Sequence, residues 1–153
     1  MYELRLTQQV RAEPGAVYAA LLDPVAVATW RVPDDMTAHV REWEPREGGR
    51  FRVSLTYRAE DRTGKTEDAT DTYAGEFAAL VPDEQVVERL AFETDDPALQ
   101  GTMTMTWTLR EADGGTEVEL HHEGIPDVVP PDDSDTGTRM SLTKLAAYVE
   151  GAG

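Results

Sequence analysis

Apolar and polar residues alternate strictly from Thr102 to Arg110: Met103, Met105, Trp107 and Leu109 fall on one face and threonines on the other. A period of two is the mark of a half-buried strand, with one face toward a core and the other toward water. The same period runs through Arg50 to Arg58, where Phe51, Val53, Leu55 and Tyr57 oppose Arg50, Arg52, Ser54, Thr56 and Arg58. Further strands are predicted at Tyr2 to Val10, Met36 to Trp43, Asp71 to Leu80, Gln85 to Glu93 and Thr116 to His122. Between them stand turn signals, Gly48-Gly49, Val81-Pro82-Asp83, Asp95-Asp96-Pro97 and Asp113-Gly114-Gly115. The polar stretch Glu60 to Thr70 reads as a mobile connection.

In three places the period lengthens to that of a helix. Proline follows Glu13 and again Asp23, marking two short helix starts. The first helix carries Val17, Ala20 and Leu21; the second runs through Val25, Val27 and Ala28 to Trp30, before Pro33-Asp34-Asp35 stops it. Gly124 to Thr136 holds three of the nine prolines and four aspartates and reads as a loop. Beyond it Met140 to Glu150 sets Leu142, Leu145, Ala146 and Val149 on one stripe, with Gly151 placed to end the helix. The order is strand, helix, helix, six strands, helix, which predicts an α+β fold built on one antiparallel meander.

That order resembles the START-like, or helix-grip, fold, in which a curved antiparallel sheet of about seven strands wraps a long C-terminal helix. The residues extend the resemblance to a branch of the SRPBCC superfamily, the one similar to the C-terminal domain of the activator of the heat-shock protein 90 ATPase. The similar segments are Val17-Tyr18, Leu22-Asp23-Pro24 and Trp30, then Arg46-Glu47-Gly48-Gly49-Arg50-Phe51, Gly75-Glu76-Phe77, His122-Glu123-Gly124-Ile125-Pro126, Ser141-Leu142 and Leu145-Ala146. No one of these is specific; their agreement from about residue 2 to residue 151 is. The branch commonly carries Gly-Trp-x-x-Ser-Leu at the start of the last helix, and here Thr138 stands where that tryptophan would be. The resemblance therefore implies a cavity between sheet and last helix whose mouth is wider or differently plugged. It also implies three kinds of role: binding of a hydrophobic or amphipathic small molecule, polyketide cyclase or aromatase chemistry, and action on a chaperone ATPase.

Composition narrows the picture. A chain of 153 residues is the size of one domain and long enough for a full core. Cysteine is absent, which removes disulfides, thiolate metal sites and cysteine nucleophiles. The net charge of −16 disfavours nucleic acid and anionic membrane surfaces as partners. No signal peptide or membrane-spanning run is legible, so the expectation is a cytoplasmic protein, monomeric or homodimeric, with no membrane insertion. Motifs for zinc hydrolases, serine hydrolases, nucleotide phosphates and EF-hand calcium are missing, and neither a cofactor nor a metal is expected.

Candidate site residues come from the inner face. His121 and His122 are adjacent in a strand, point to opposite sides and cannot share one metal; the phase of Val118 and Leu120 turns His122 inward. An inward imidazole orients a ligand hydroxyl, acts as a general base, or simply bonds a neighbouring loop. The strand Gln85 to Glu93 buries a charge in either phase, Glu88 with Val86, Leu90 and Phe92, or Arg89 with Val87 and Ala91. That charge must be paired, reach the rim, or meet a polar ligand group. Trp30, Tyr57, Tyr73, Phe92, Met103, Met105 and Trp107 supply apolar surface near the inner face or the cavity mouth, as core or as cavity wall. Thr138 and Met140, at the start of the last helix, complete the set.

Overall fold

In the computed structural model, residues 1–57 and 70–152 are described. The alternating segments form seven strands: β1 (Tyr2–Val10), β2 (Met36–Trp43), β3 (Arg50–Tyr57), β4 (Thr70–Val81), β5 (Gln85–Phe92), β6 (Met103–Ala112) and β7 (Gly115–Ile125). Strands β2 to β7 pair with their chain neighbours, and β1 closes on the far side of β7, giving one antiparallel sheet in the order β1-β7-β6-β5-β4-β3-β2. Register shifts in β1, in β2 between Val40 and Glu42, and in β4 between Phe77 and Ala79 are the bulges that bend such a sheet. Gly75 is required by the same close packing: a Cβ there would lie 1.9 Å from the carbonyl oxygen of Arg89 on β5. The expected connection from Glu60 lies outside the described residues, apart from Thr70, which opens β4.

The two proline starts nucleate α1 (Pro14–Leu22) and α2 (Pro24–Trp30), the second capped by the Asp23 carboxylate accepting from the Val25 N–H at 2.9 Å. The last helix differs from expectation. It begins at Pro131, not Met140, so α3 (Pro131–Ala152) takes in much of the segment read as loop, and only Pro126 to Pro130 remains as connection. The proline and aspartate density that reads as loop is here a helix N-terminus: Pro131 tolerates the first turn, and Asp132 and Asp133 sit where acids favour the helix dipole.

The sheet's inner face carries the core. On β6, Met103, Met105, Trp107 and Leu109 are all buried, and the intervening threonines are not. Helix α1 packs over β5, β6 and β7, while α3 lies along β1 and against α1 and α2 through Leu142, Leu145, Ala146 and Val149. Trp30 meets Trp107 edge to face at 5.5 Å, and Phe51, Phe77 and Trp43 form a second aromatic cluster, with 5.1 Å between the phenyl rings. No helix among the described residues is long and apolar enough to cross a membrane.

Candidate functional site

One end of the inner face is filled by α1; the other is left open beneath the N-terminal half of α3. The space there has a volume of about 760 Å³, within the range of small-molecule sites. Its floor is sheet: Leu55 and Tyr57 from β3, Tyr73 from β4, Leu90 and Phe92 from β5. Met103, Met105 and Trp107 continue it on β6, with Leu120, His122 and Ile125 on β7. The roof is the first turns of α3, including Gly137, Thr138 and Ser141, and the lip is Val128, Val129 and Pro130. Val128 is 55% exposed, an apolar side chain standing at the mouth.

At the back of the cavity a charge is buried and answered. Glu88 faces inward, 1% exposed, and Arg89 faces out, which settles the phase of β5. Arg31, the first residue after α2, donates from Nη1 to Glu88 Oε2 at 2.9 Å, and Trp107 Nε1 donates to the other carboxylate oxygen at 3.2 Å. The second terminal nitrogen of Arg31 reaches Met105 Sδ at 3.1 Å, and the guanidinium lies 5.5 Å from the Tyr73 ring and 5.6 Å from the Trp107 ring. Burial works against the Arg31 charge, but the Glu88 carboxylate outweighs it and holds the guanidinium pKa above its ordinary value.

Two polar atoms of the wall are buried and have no hydrogen-bond partner among the described residues, Tyr73 Oη and His122 Nε2. Burial raises the Tyr73 pKa, so its hydroxyl keeps its proton at neutral pH. Burial, then the Arg31 charge and His121, push His122 down to about 4, so its imidazole is neutral there too. Tyr73 Oη and His122 Nε2 thus offer free hydrogen-bonding positions on a wall whose other buried polar groups, Arg31 and Asp71, already have partners.

Of the residues picked from sequence, Tyr57, Tyr73, Phe92, Met103, Met105, Trp107, His122 and Thr138 are brought together on this wall. Trp30, Glu88 and Met140 are not part of it. Trp30 is 1% exposed behind Trp107, with its indole N–H on the Ala20 carbonyl at 3.0 Å. Glu88 sits one layer below the surface, under Arg31, and Met140 of α3 does not line the cavity. Sequence spacing does not single out Arg31. The signal for it was indirect: an inward carboxylate needs a cation, and nothing in the spacing says which. His121 lies on the outer face, between Glu3 at 3.3 Å and Glu123 at 3.0 Å, with Arg5 against Nδ1 at 3.3 Å. These three acid and imidazole groups have metal-ligand chemistry, and the Arg5 cation stands against Nδ1 of the same ring.

An antiparallel sheet of seven strands gripping a long C-terminal helix, with a cavity between them, defines the helix-grip class of the SRPBCC superfamily. Within it the chain belongs to the activator of Hsp90 ATPase homolog 1-like family, whose model matches residues 11–150. A solved structure from Chromobacterium violaceum is similar at 31% identity and a TM-score of 0.86, over 98% of this chain and 99% of that one. A protein of the same family from Aeromonas hydrophila is 20% identical with a TM-score of 0.74, over 99% and 94% of the two chains. A protein of the dynemicin biosynthetic locus shares the fold at 20% identity and a TM-score of 0.68, over 98% of this chain and 48% of that one. Among curated proteins none matches the sequence.

Proposed function

We propose that this protein binds a hydrophobic or amphipathic small molecule in the cavity between the sheet and α3. The observation that carries the reading is the space itself: about 760 Å³ lined mainly by Leu, Met, Phe, Tyr and Trp side chains, with Arg31 and Asp71 among them and buried polar atoms of Tyr73 and His122 left unpaired. Orphaned buried polar groups cost about 1–3 kcal/mol each when nothing meets them, and a ligand oxygen supplies the partner. An apolar wall with a few convergent polar atoms is the usual make-up of a ligand site. Native mass spectrometry, with a thermal-shift screen of lipids and aromatic metabolites, tests it: retained or stabilising compounds are expected, and a screen in which nothing binds or raises Tm sinks the reading.

A cyclase-like enzyme is the second reading, favoured by the imidazole on the wall. At about 4 the His122 pKa is far below the operating pH, which suits a group that orients a ligand better than one that abstracts a proton. If turnover is found, His122→Ala should lower it; unchanged turnover would remove His122 from the chemistry. Action on a chaperone ATPase is a reading of family membership alone.

A further inference from the structure

We propose that the cavity selects by charge and by one polar function: it takes uncharged apolar molecules bearing a hydroxyl or carbonyl oxygen at the Tyr73 and His122 end, and rejects carboxylates. This rests on the ligand-binding reading above and narrows it.

The first support is what the site's cation is already doing. Arg31 is the only cation among the described residues that line the cavity. A carboxylate ligand would need its fork, yet one terminal nitrogen is on Glu88 at 2.9 Å, the other is on Met105 Sδ at 3.1 Å, and aromatic rings flank the plane. Each terminal nitrogen thus already holds a partner, and a ligand carboxylate would have to share the guanidinium with Glu88. The pair with Glu88 has already cancelled the charge. A second carboxylate entering would make two acids compete for one guanidinium in a low-dielectric space.

The second support is the field outside. Asp96 and Asp133 stand exposed on the rim, and the whole chain carries −16. An anion approaching the mouth meets like charge before it meets any apolar surface.

The third is the nature of the unpaired atoms. Tyr73 Oη lies on a side chain 7% exposed and retains its proton, so it offers a donor to a ligand oxygen. His122 Nε2 accepts in one tautomer and donates in the other. A hydroxyl satisfies either, and a carbonyl satisfies the tyrosine; neither requires a countercharge.

The experiment compares two matched sets on the full chain at pH 7.5 by titration calorimetry: 1-dodecanol, 2-dodecanone and dodecanoate, then 1-hydroxypyrene, pyrene and 1-pyrenecarboxylate. Within a skeleton the alcohol or ketone is expected to bind at least about tenfold more tightly than the carboxylate. Tyr73→Phe should weaken the alcohol about fivefold and leave pyrene unchanged. If a carboxylate matches or outbinds its alcohol, the charge selection is wrong while the cavity reading stands. Should alcohol and hydrocarbon bind equally to wild type, the polar function is wrong, and that outcome needs no variant to fold. If no member of either set binds, the cavity reading itself falls, and this inference with it.

Discussion

Replacing Glu88 with glutamine keeps the volume but turns one of its two acceptor oxygens into a donor facing Arg31 or Trp107, and it leaves the Arg31 cation uncompensated behind the cavity. Because breaking one side of a buried ion pair strands the other charge, Glu88→Gln is expected to cost about 3 kcal/mol or more by denaturant unfolding. The double change Arg31→Met with Glu88→Leu removes both charges and should cost much less than either single change. His122 gives a pH-dependent counterpart. Its folded pKa is about 4 against 6.5 in the unfolded chain, so between those values the unfolded state holds more protons. Stability from this group is therefore fully present above pH 6.5 and is lost as pH falls toward 4. The measurement is the slope of unfolding free energy against pH in that window, which His122→Phe should make shallower than in wild type. Acid residues contribute equally to both proteins, so the difference isolates the imidazole.

Among the elements, β4 and α3 respond in opposite ways to an added methyl group. At Gly75 the methyl would collide with the backbone of β5, 1.9 Å from the Arg89 oxygen, so Gly75→Ala should destabilise by about 3 kcal/mol and shift the pairing of β4 with β5. At Gly137 a Cβ meets nothing within 4 Å, so Gly137→Ala should stabilise by about 0.5–1 kcal/mol through helix propensity, read as a higher Tm. The strands were legible in the sequence because each keeps one wet and one dry face, as Met103, Met105, Trp107 and Leu109 do. The start of α3 was not, because Pro130, Pro131, Asp132 and Asp133 satisfy loop statistics and helix N-terminal chemistry equally well. Only the packing of the rest of the helix decides between them. The same limit applies to β5: period two said that a charge goes inward, but choosing Glu88 over Arg89 required knowing that Arg31 and Trp107 arrive from elsewhere to meet it.

For the molecule as a whole, the excess of acids over bases sets a repulsion that any folded state must bear. Thirty acids against fourteen bases should make added salt stabilising, with Tm rising as sodium chloride goes from low concentration to about 0.5 M. A falling Tm would mean that the surface ion pairs, such as Arg52 with Glu93, outweigh the net repulsion. The cavity exists at this scale because α1 and α3 divide the inner face unequally, one packing closely over β5 to β7 and the other lying toward β1. Sequence located the wall residues that alternate on strands and missed the contributions of Arg31 and the 126–130 connection, which are set by how helices return to the sheet.

Trp107 has an optical consequence. Its indole forms part of the cavity wall, donates to Glu88 and stacks beside the Arg31 cation, whereas the indoles of Trp30 and Trp43 are tied to the carbonyls of Ala20 and Leu22 away from the opening. The emission of this protein is thus the sum of two indoles held away from the cavity lining and one with a fixed charge on either side of it. A ligand seated against that ring is expected to change its emission without any label, and Trp107→Phe supplies the blank.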